Sequence, residues 1–338
     1  MATHTIDGPF FEDFSVGQLF GAPSVTVTEG YTAIYQATTG DRMRLPLDTH
    51  LSSQVTKDTR AIVHPMLVIN VVNGQTTYAS QNVKGNLFYR GLILKRPVFV
   101  NDTLTTVTKV IGLKQNKAKA GRDATGMVGL EIETKNQKNE VVMKYWRCPM
   151  IPCRQKDVTT GKNDDFSWIP EKLSIEELTA CTRLNWDIAP LVNSAFSPEI
   201  PSFSVGDHVI ISGQDTITAA PELVRLTGNI AFAHTDASRS YLNKRLVYGG
   251  HTISLAYAQI MRAMPNTIAL VGWQGCDHLG PVLEEDIIRS EFTVTSIDPL
   301  QSGGSLYELN VYTYAKRLNQ EGEYVESKVL DWRLVIWG

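Results

Sequence analysis

The alternation of apolar and polar positions predicts two similar series of elements along the chain. From Thr28 to Thr39 the residues Tyr31, Ile34, Tyr35 and Thr38 recur at the three-and-four spacing of a helix face, with Thr28 as N-cap and Glu29 in the first turn. A β-rich stretch, Ala22 to Thr28, precedes it. A longer helix is predicted from Val63 to Thr77, where an almost unbroken apolar run opens on Pro65, a residue suited to a helix start. Strand character then returns over Gly85 to Leu94, Thr103 to Gln115, Thr125 to Asn136 and Glu140 to Pro149, separated by polar turns. Between Arg154 and Pro170 almost nothing is available to bury, and a mixed segment runs from Glu171 to Ser202. The order then repeats: a short helix over Ala220 to Leu226, a long one over Gly249 to Ala263, and strands from Ile268, Ile287, Tyr307 and Val325. A long helix followed by several antiparallel strands, twice over, predicts an α+β fold with a sheet wrapped around each long helix.

Residue identities support the duplication. Phe14-Ser15-Val16-Gly17 recurs as Phe203-Ser204-Val205-Gly206, and Thr39-Gly40-Asp41 recurs as Thr227-Gly228-Asn229. Pro97-Val98 with Asp102 matches Pro281-Val282 with Asp286, and Trp146-Arg147 matches Trp332-Arg333. The repeat is far longer than a solenoid unit, so it reads as a duplicated domain: an N-terminal copy over 1–155, a linker over 156–172 and a C-terminal copy over 173–338.

Composition adjusts this picture only at its edges. A chain of 338 residues can hold two domains with a core each, and its net charge of −3 without a basic run gives no footprint for nucleic acid or an anionic membrane. With no signal-peptide core and no stretch of about 20 apolar residues, a soluble cytoplasmic protein is expected. Cys148, Cys153, Cys181 and Cys276 lack metal or redox spacing and are expected to be buried free thiols.

Candidate chemistry concentrates in the second copy. In Leu226-Thr227-Gly228-Asn229-Ile230-Ala231-Phe232-Ala233-His234-Thr235-Asp236, a helix end and a glycine turn bring an amide and an imidazole onto one short loop. Asn229 can orient a water while neutral His234 takes its proton. Gly249 and Gly250 open the long helix, where bare backbone N–H groups can hold a developing oxyanion. His251 follows them as a substrate contact or a helix cap. Each residue also has a plainer reading: Asn229 can close a turn, the glycines can serve close packing, and Asp236 can cap the next segment. Water activation beside an oxyanion site suits addition to, or elimination from, an α,β-unsaturated thioester.

Thr227-Gly228-Asn229 with His234 and Asp236, Val247-Tyr248-Gly249-Gly250-His251-Thr252, and the opening Phe11-Glu12-Asp13-Phe14 with Val16-Gly17-Gln18 resemble the MaoC-like enoyl-CoA hydratases and dehydratases. Within that family the mesaconyl-CoA hydratases, or β-methylmalyl-CoA dehydratases, are most like this chain, also through the segment Thr108 to Lys117. The resemblance implies a double hotdog fold, an acyl-CoA substrate, no cofactor or metal, and a homodimer or higher homo-oligomer. It implies a hydro-lyase acting on a short branched or dicarboxylic enoyl-CoA, with His234 and Asn229 as the catalytic pair. Two departures stand out. Asn229 replaces the family's usual aspartate, and the first copy has Pro46 where the second has His234, although it keeps Asp41. One active site per chain is therefore expected, with the first copy as the wall of a shared cleft.

A free carboxylate on the substrate would call for an arginine, and Arg42, Arg44, Arg90, Arg239 and Arg245 are the candidates, with CoA phosphates as competing claimants. His278 is expected to line the site or pack rather than react. Two other readings remain open. A hotdog thioesterase needs a carboxylate on its central helix, and Gly250 to Met261 has none; a non-catalytic acyl-CoA binding protein would suit the missing aspartate.

Overall fold

The two long apolar runs become the paired central helices of the molecule. The computed structural model describes residues 2–117, 121–182, 184–193 and 202–338. The first half comprises β1 (Leu19–Gly21), β2 (Val25–Thr26), α1 (Glu29–Thr39), α2 (Arg44–Leu47), α3 (Thr49–Thr56), α4 (Pro65–Gln75), β3 (Gly85–Leu94), β4 (Thr103–Gln115), β5 (Thr125–Lys135) and β6 (Val141–Pro152). Two short helices, α5 (Ile175–Thr182) and α6 (Ala189–Val192), follow. The second half comprises β7 (His208–Ile210), β8 (Asp215–Thr216), α7 (Ala220–Leu226), α8 (Phe232–Thr235), α9 (Gly249–Ala263), β9 (Ala269–His278), β10 (Ile287–Pro299), β11 (Ser305–Leu318) and β12 (Tyr324–Trp337).

Every residue of α4 from Met66 to Gln75 is buried, as is every residue of α9 from Gly250 to Met261. A helix apolar on all sides needs cover on all sides. The strands provide it as one antiparallel sheet in the order β1-β4-β5-β6-β3-β9-β12-β11-β10-β7, with β2 on β4 and β8 on β10. The halves join where β3 pairs β9, and the pairing is its own image under the repeat. Tyr89 opposite Cys276 becomes Trp273 opposite Leu92, and Phe88 opposite Asp277 becomes Gly272 opposite Ile93. Asn70 of α4 donates to the hydroxyl of Ser254 of α9 at 2.8 Å, two residues 184 apart in sequence and related by the same exchange. This is the α+β double hotdog architecture, a sheet wrapped around two central helices.

The polar stretch after β6 is not loose. Gln115 Nε2 donates to Val158 O at 2.6 Å, and Lys162 Nζ reaches the carbonyls of Phe11, Glu12 and Phe14 at 3.1, 3.0 and 2.7 Å. Asp164 accepts the backbone N–H of Leu113 at 2.8 Å, so the segment runs along the first half's β4. Of the segment expected over Glu171 to Ser202, residues 183 and 194–201 lie outside the described residues. The cysteines are free thiols, buried at Cys148, Cys153 and Cys276 and half-buried at Cys181.

Candidate functional site

A cavity of about 770 Å³ opens between the halves. The first half supplies Asn73 and Thr77 at the end of α4, Ser80, Tyr89 on β3 and Arg147 on β6. The second supplies Asn229, His234, Tyr248, Gly249, Thr252 and His278. Exposed Arg122, Tyr241 and Leu279 stand at its rim.

The motif loop is held in place from both sides. Helix α7 ends where Thr227 Oγ1 turns back to Leu223 O at 2.8 Å, and Gly228 takes a left-handed φ of 63°, a conformation side chains disfavour. Beneath the turn lies Gly74 of α4, where a Cβ would sit 1.9 Å from Thr227 O, so only glycine lets the loop rest on that helix. Backbone N–H groups of Ile230 and Phe232 then donate to Thr77 Oγ1 at 3.2 Å and Gln81 O at 2.9 Å, fastening the loop to the first half.

Asn229, 5% exposed, accepts the N–H of Ala231 on Oδ1 at 3.0 Å. The turn thus engages one lone pair of its oxygen, and its amide nitrogen is a donor it can offer a water. His234 lies on α8 with Nδ1 2.9 Å from the carbonyl oxygen of Leu246. A carbonyl can only accept, so Nδ1 carries the proton and Nε2 keeps the lone pair. Burial lowers the His234 pKa to about 4, with the Arg147 charge acting in the same direction. The imidazole is therefore neutral at pH 7 and able to accept a proton. Asp236 accepts the N–H of Ser238 at 2.9 Å and caps the following turn.

At the start of α9 the structure separates residues that sequence places together. Gly249 and Thr252, three apart and so on one helix face, line the cavity. A Cβ on Gly249 would meet the His278 ring at 2.6 Å, so this glycine lets an imidazole stand against the helix N-terminus. Burial lowers the His278 pKa to about 4 as well. The side-chain positions of Gly250 and His251 are not among those that line the cavity. A Cβ on Gly250 would lie 1.9 Å from Asn70 Oδ1, which makes it a contact between the two central helices. His251 is turned about 200° from Gly249 along the helix and is 1% exposed, its pKa lowered to about 4 by burial.

The expected arginines lie outside the cavity lining. Arg90 pairs with Asp277 at 2.5 Å and Arg245 with Glu284 at 3.0 Å, each neutralised by a carboxylate of its own. Arg42 is exposed beside the first copy's turn, Arg44 donates to Leu191 O and Asn266, and Arg239 pairs with Asp7 while stacking on Phe232. The arginine inside the cavity is Arg147, present in the sequence only as a marker of the repeat. Asp41 is fully buried, accepts the N–H of Met43 and lies 3.2 Å from His64, away from the cavity. Among the described residues no group of three His, Cys, Asp or Glu is placed to hold a metal ion, and no helix is long and apolar enough to cross a membrane.

No family model matches the chain. A solved protein of Mycobacterium tuberculosis, described as having a double hotdog fold, is 38% identical and superposes with a TM-score of 0.87 over 98% of each chain. A Chloroflexus aurantiacus structure described as a MaoC domain dehydratase is 27% identical, with a TM-score of 0.80 over 99% of this chain and 98% of that one. The β-methylmalyl-CoA dehydratase of the same organism is 28% identical over 98% of this chain and 97% of its own. With the fold, the motif loop and these likenesses in agreement, the chain belongs to the MaoC-like double hotdog family and is a hydro-lyase of that type.

Proposed function

We propose that this protein reversibly adds water to a short enoyl-CoA, and that its substrate is mesaconyl-CoA, hydrated to β-methylmalyl-CoA. The observation that carries this reading is His234, neutral and with Nε2 as its proton acceptor, on one cavity with Asn229 and the N-terminus of α9. His234 takes a proton from water as the hydroxyl adds to the β carbon. Charge moves to the thioester oxygen, held by the N–H groups opening α9. His234 then returns its proton to the α carbon; in dehydration it protonates the departing hydroxyl instead. Asn229 donates to the water but takes no proton, so acid and base work fall on one imidazole. The likeness to a β-methylmalyl-CoA dehydratase supports the choice of substrate.

Neither central helix carries an acidic residue, which disfavours the thioesterase reading. The test is purified protein with mesaconyl-CoA, followed by loss of enoyl absorbance and a mass gain of one water. Turnover of mesaconyl-CoA that collapses in His234→Ala is expected. Absence of turnover with mesaconyl-CoA and every other short enoyl-CoA would overturn the reading.

A further inference from the structure

Arg147 is 5% exposed, lines the cavity and forms no ion pair among the described residues. Its Nη2 donates to Ser80 Oγ at 2.6 Å and Thr76 O at 3.2 Å, both neutral, while Nε is buried without a partner. A guanidinium keeps its charge at any physiological pH, and burying it without a counter-charge is costly.

The internal repeat shows that this charge belongs to one half alone. Strand β12 pairs β9 as β6 pairs β3, so that Leu334 opposite Trp273 stands where Arg147 stands opposite Tyr89. The other half fills the place with a buried apolar side chain, whereas Arg147 faces the cavity with its charge unmatched.

On the basis of the hydratase reading, we propose that Arg147 anchors a free carboxylate on the acyl chain, making the protein selective for dicarboxylic enoyl-CoA esters over their alkyl counterparts. The planar guanidinium can pair side-on with a carboxylate, and the bonds to Thr76 and Ser80 fix its plane beforehand. In mesaconyl-CoA the carboxylate is attached to the carbon that receives the hydroxyl, so its anchor must stand near His234. Arg147 is the arginine whose charge is felt at that imidazole.

The experiment compares mesaconyl-CoA with tiglyl-CoA, which has a methyl group in place of the carboxylate. Wild type should favour mesaconyl-CoA by about 10²-fold in kcat/KM, and Arg147→Gln should lose at least about tenfold more on mesaconyl-CoA than on tiglyl-CoA. Equal losses, or no preference in wild type, would overturn the assignment. Titration of the unaltered protein with succinyl-CoA and butyryl-CoA needs neither turnover nor a variant. Succinyl-CoA should bind at least about tenfold tighter, and equal binding overturns the anchor. Absence of turnover with the succinyl-CoA preference intact would instead count against hydration and leave the anchor standing.

Discussion

The two clefts related by the repeat differ in volume by more than an order of magnitude, about 770 Å³ in the second copy against about 50 Å³ in the first. They are built from matching positions. His234, Gly249, Thr252 and His278 line the large cleft, and their mates Pro46, Pro65, Val68 and Leu94 line the small one. Asn73, Thr77 and Ser80, which α4 and its end give to the large cleft, correspond to buried Tyr257, Met261 and Met264. The remaining space in the small cleft is taken by Cys181, Leu184 and Trp186 from the segment between the halves, with Trp186 stacked on Trp337 at 6.1 Å. The lesson is that the first copy did not merely lose a histidine. Its polar lining became apolar and a segment without a repeat mate filled it, converting a site into core.

The largest expected effect comes from the group that only the second cleft retains. His234→Ala should lower kcat about 10³-fold with the fold intact by circular dichroism, while Pro46→His should leave His234→Ala as inactive as before, since the small cleft cannot admit an acyl chain. Recovery of turnover by that double variant would break the comparison. The glycine pair sharpens it next. Gly249→Ala pushes on the His278 ring and should cost turnover about 10-fold or more with little loss of stability. Gly250→Ala pushes the central helices apart and should cost about 1–3 kcal/mol in denaturant melts.

Filling and function should also come apart at Trp186. Trp186→Ala removes a half-buried ring from the first cleft and should lower stability by about 2 kcal/mol while kcat stays unchanged. A matching loss of turnover would show that the two clefts are coupled.

Charge gives the smaller effects. His234, His251 and His278 each have a native pKa lowered to about 4 by burial, against about 6.5 when unfolded. Above pH 6.5 both states are neutral there and stability is unaffected; below it the unfolded chain binds protons that the native one refuses. Stability should therefore fall as pH drops from 6.5 toward 4, steeply enough to report proton uptake by more than one group on unfolding. Activity should hold through neutral pH, with its acid limb near 4. Asn229→Asp places a negative charge beside His234 and should move that limb upward, with kcat changed less than about 10-fold. An unmoved limb would show that Asn229 does not face the reacting imidazole.

Much of this was legible in the sequence because the relevant signals are local. The central helices, the eight long strands and the Thr227 to Asp236 motif each lie within one continuous run. Helices α2 and α3 were not legible: Thr49 to Thr56 is polar and short, capped by Asp48 accepting from Leu51 at 2.9 Å rather than marked by apolar period. That His251 points away from the cavity was not legible, because adjacency to Gly249 in sequence is opposition on a helix. Arg147 was missed because it reaches the motif from the other half of the chain, through a sheet whose pairing no single segment encodes. The arginines proposed instead were close to motifs in sequence, and their own carboxylates lie in parts of the chain that only folding brings near.

The central claim, one acyl-CoA site per chain built on the second copy, is tested most directly by a crystal structure of the protein with succinyl-CoA. The account predicts one ligand per chain, its thioester oxygen at the N-terminus of α9, the carbon β to the thioester beside His234 and its carboxylate on Arg147. A ligand in the first cleft, or a thioester remote from His234 in the second, would contradict it.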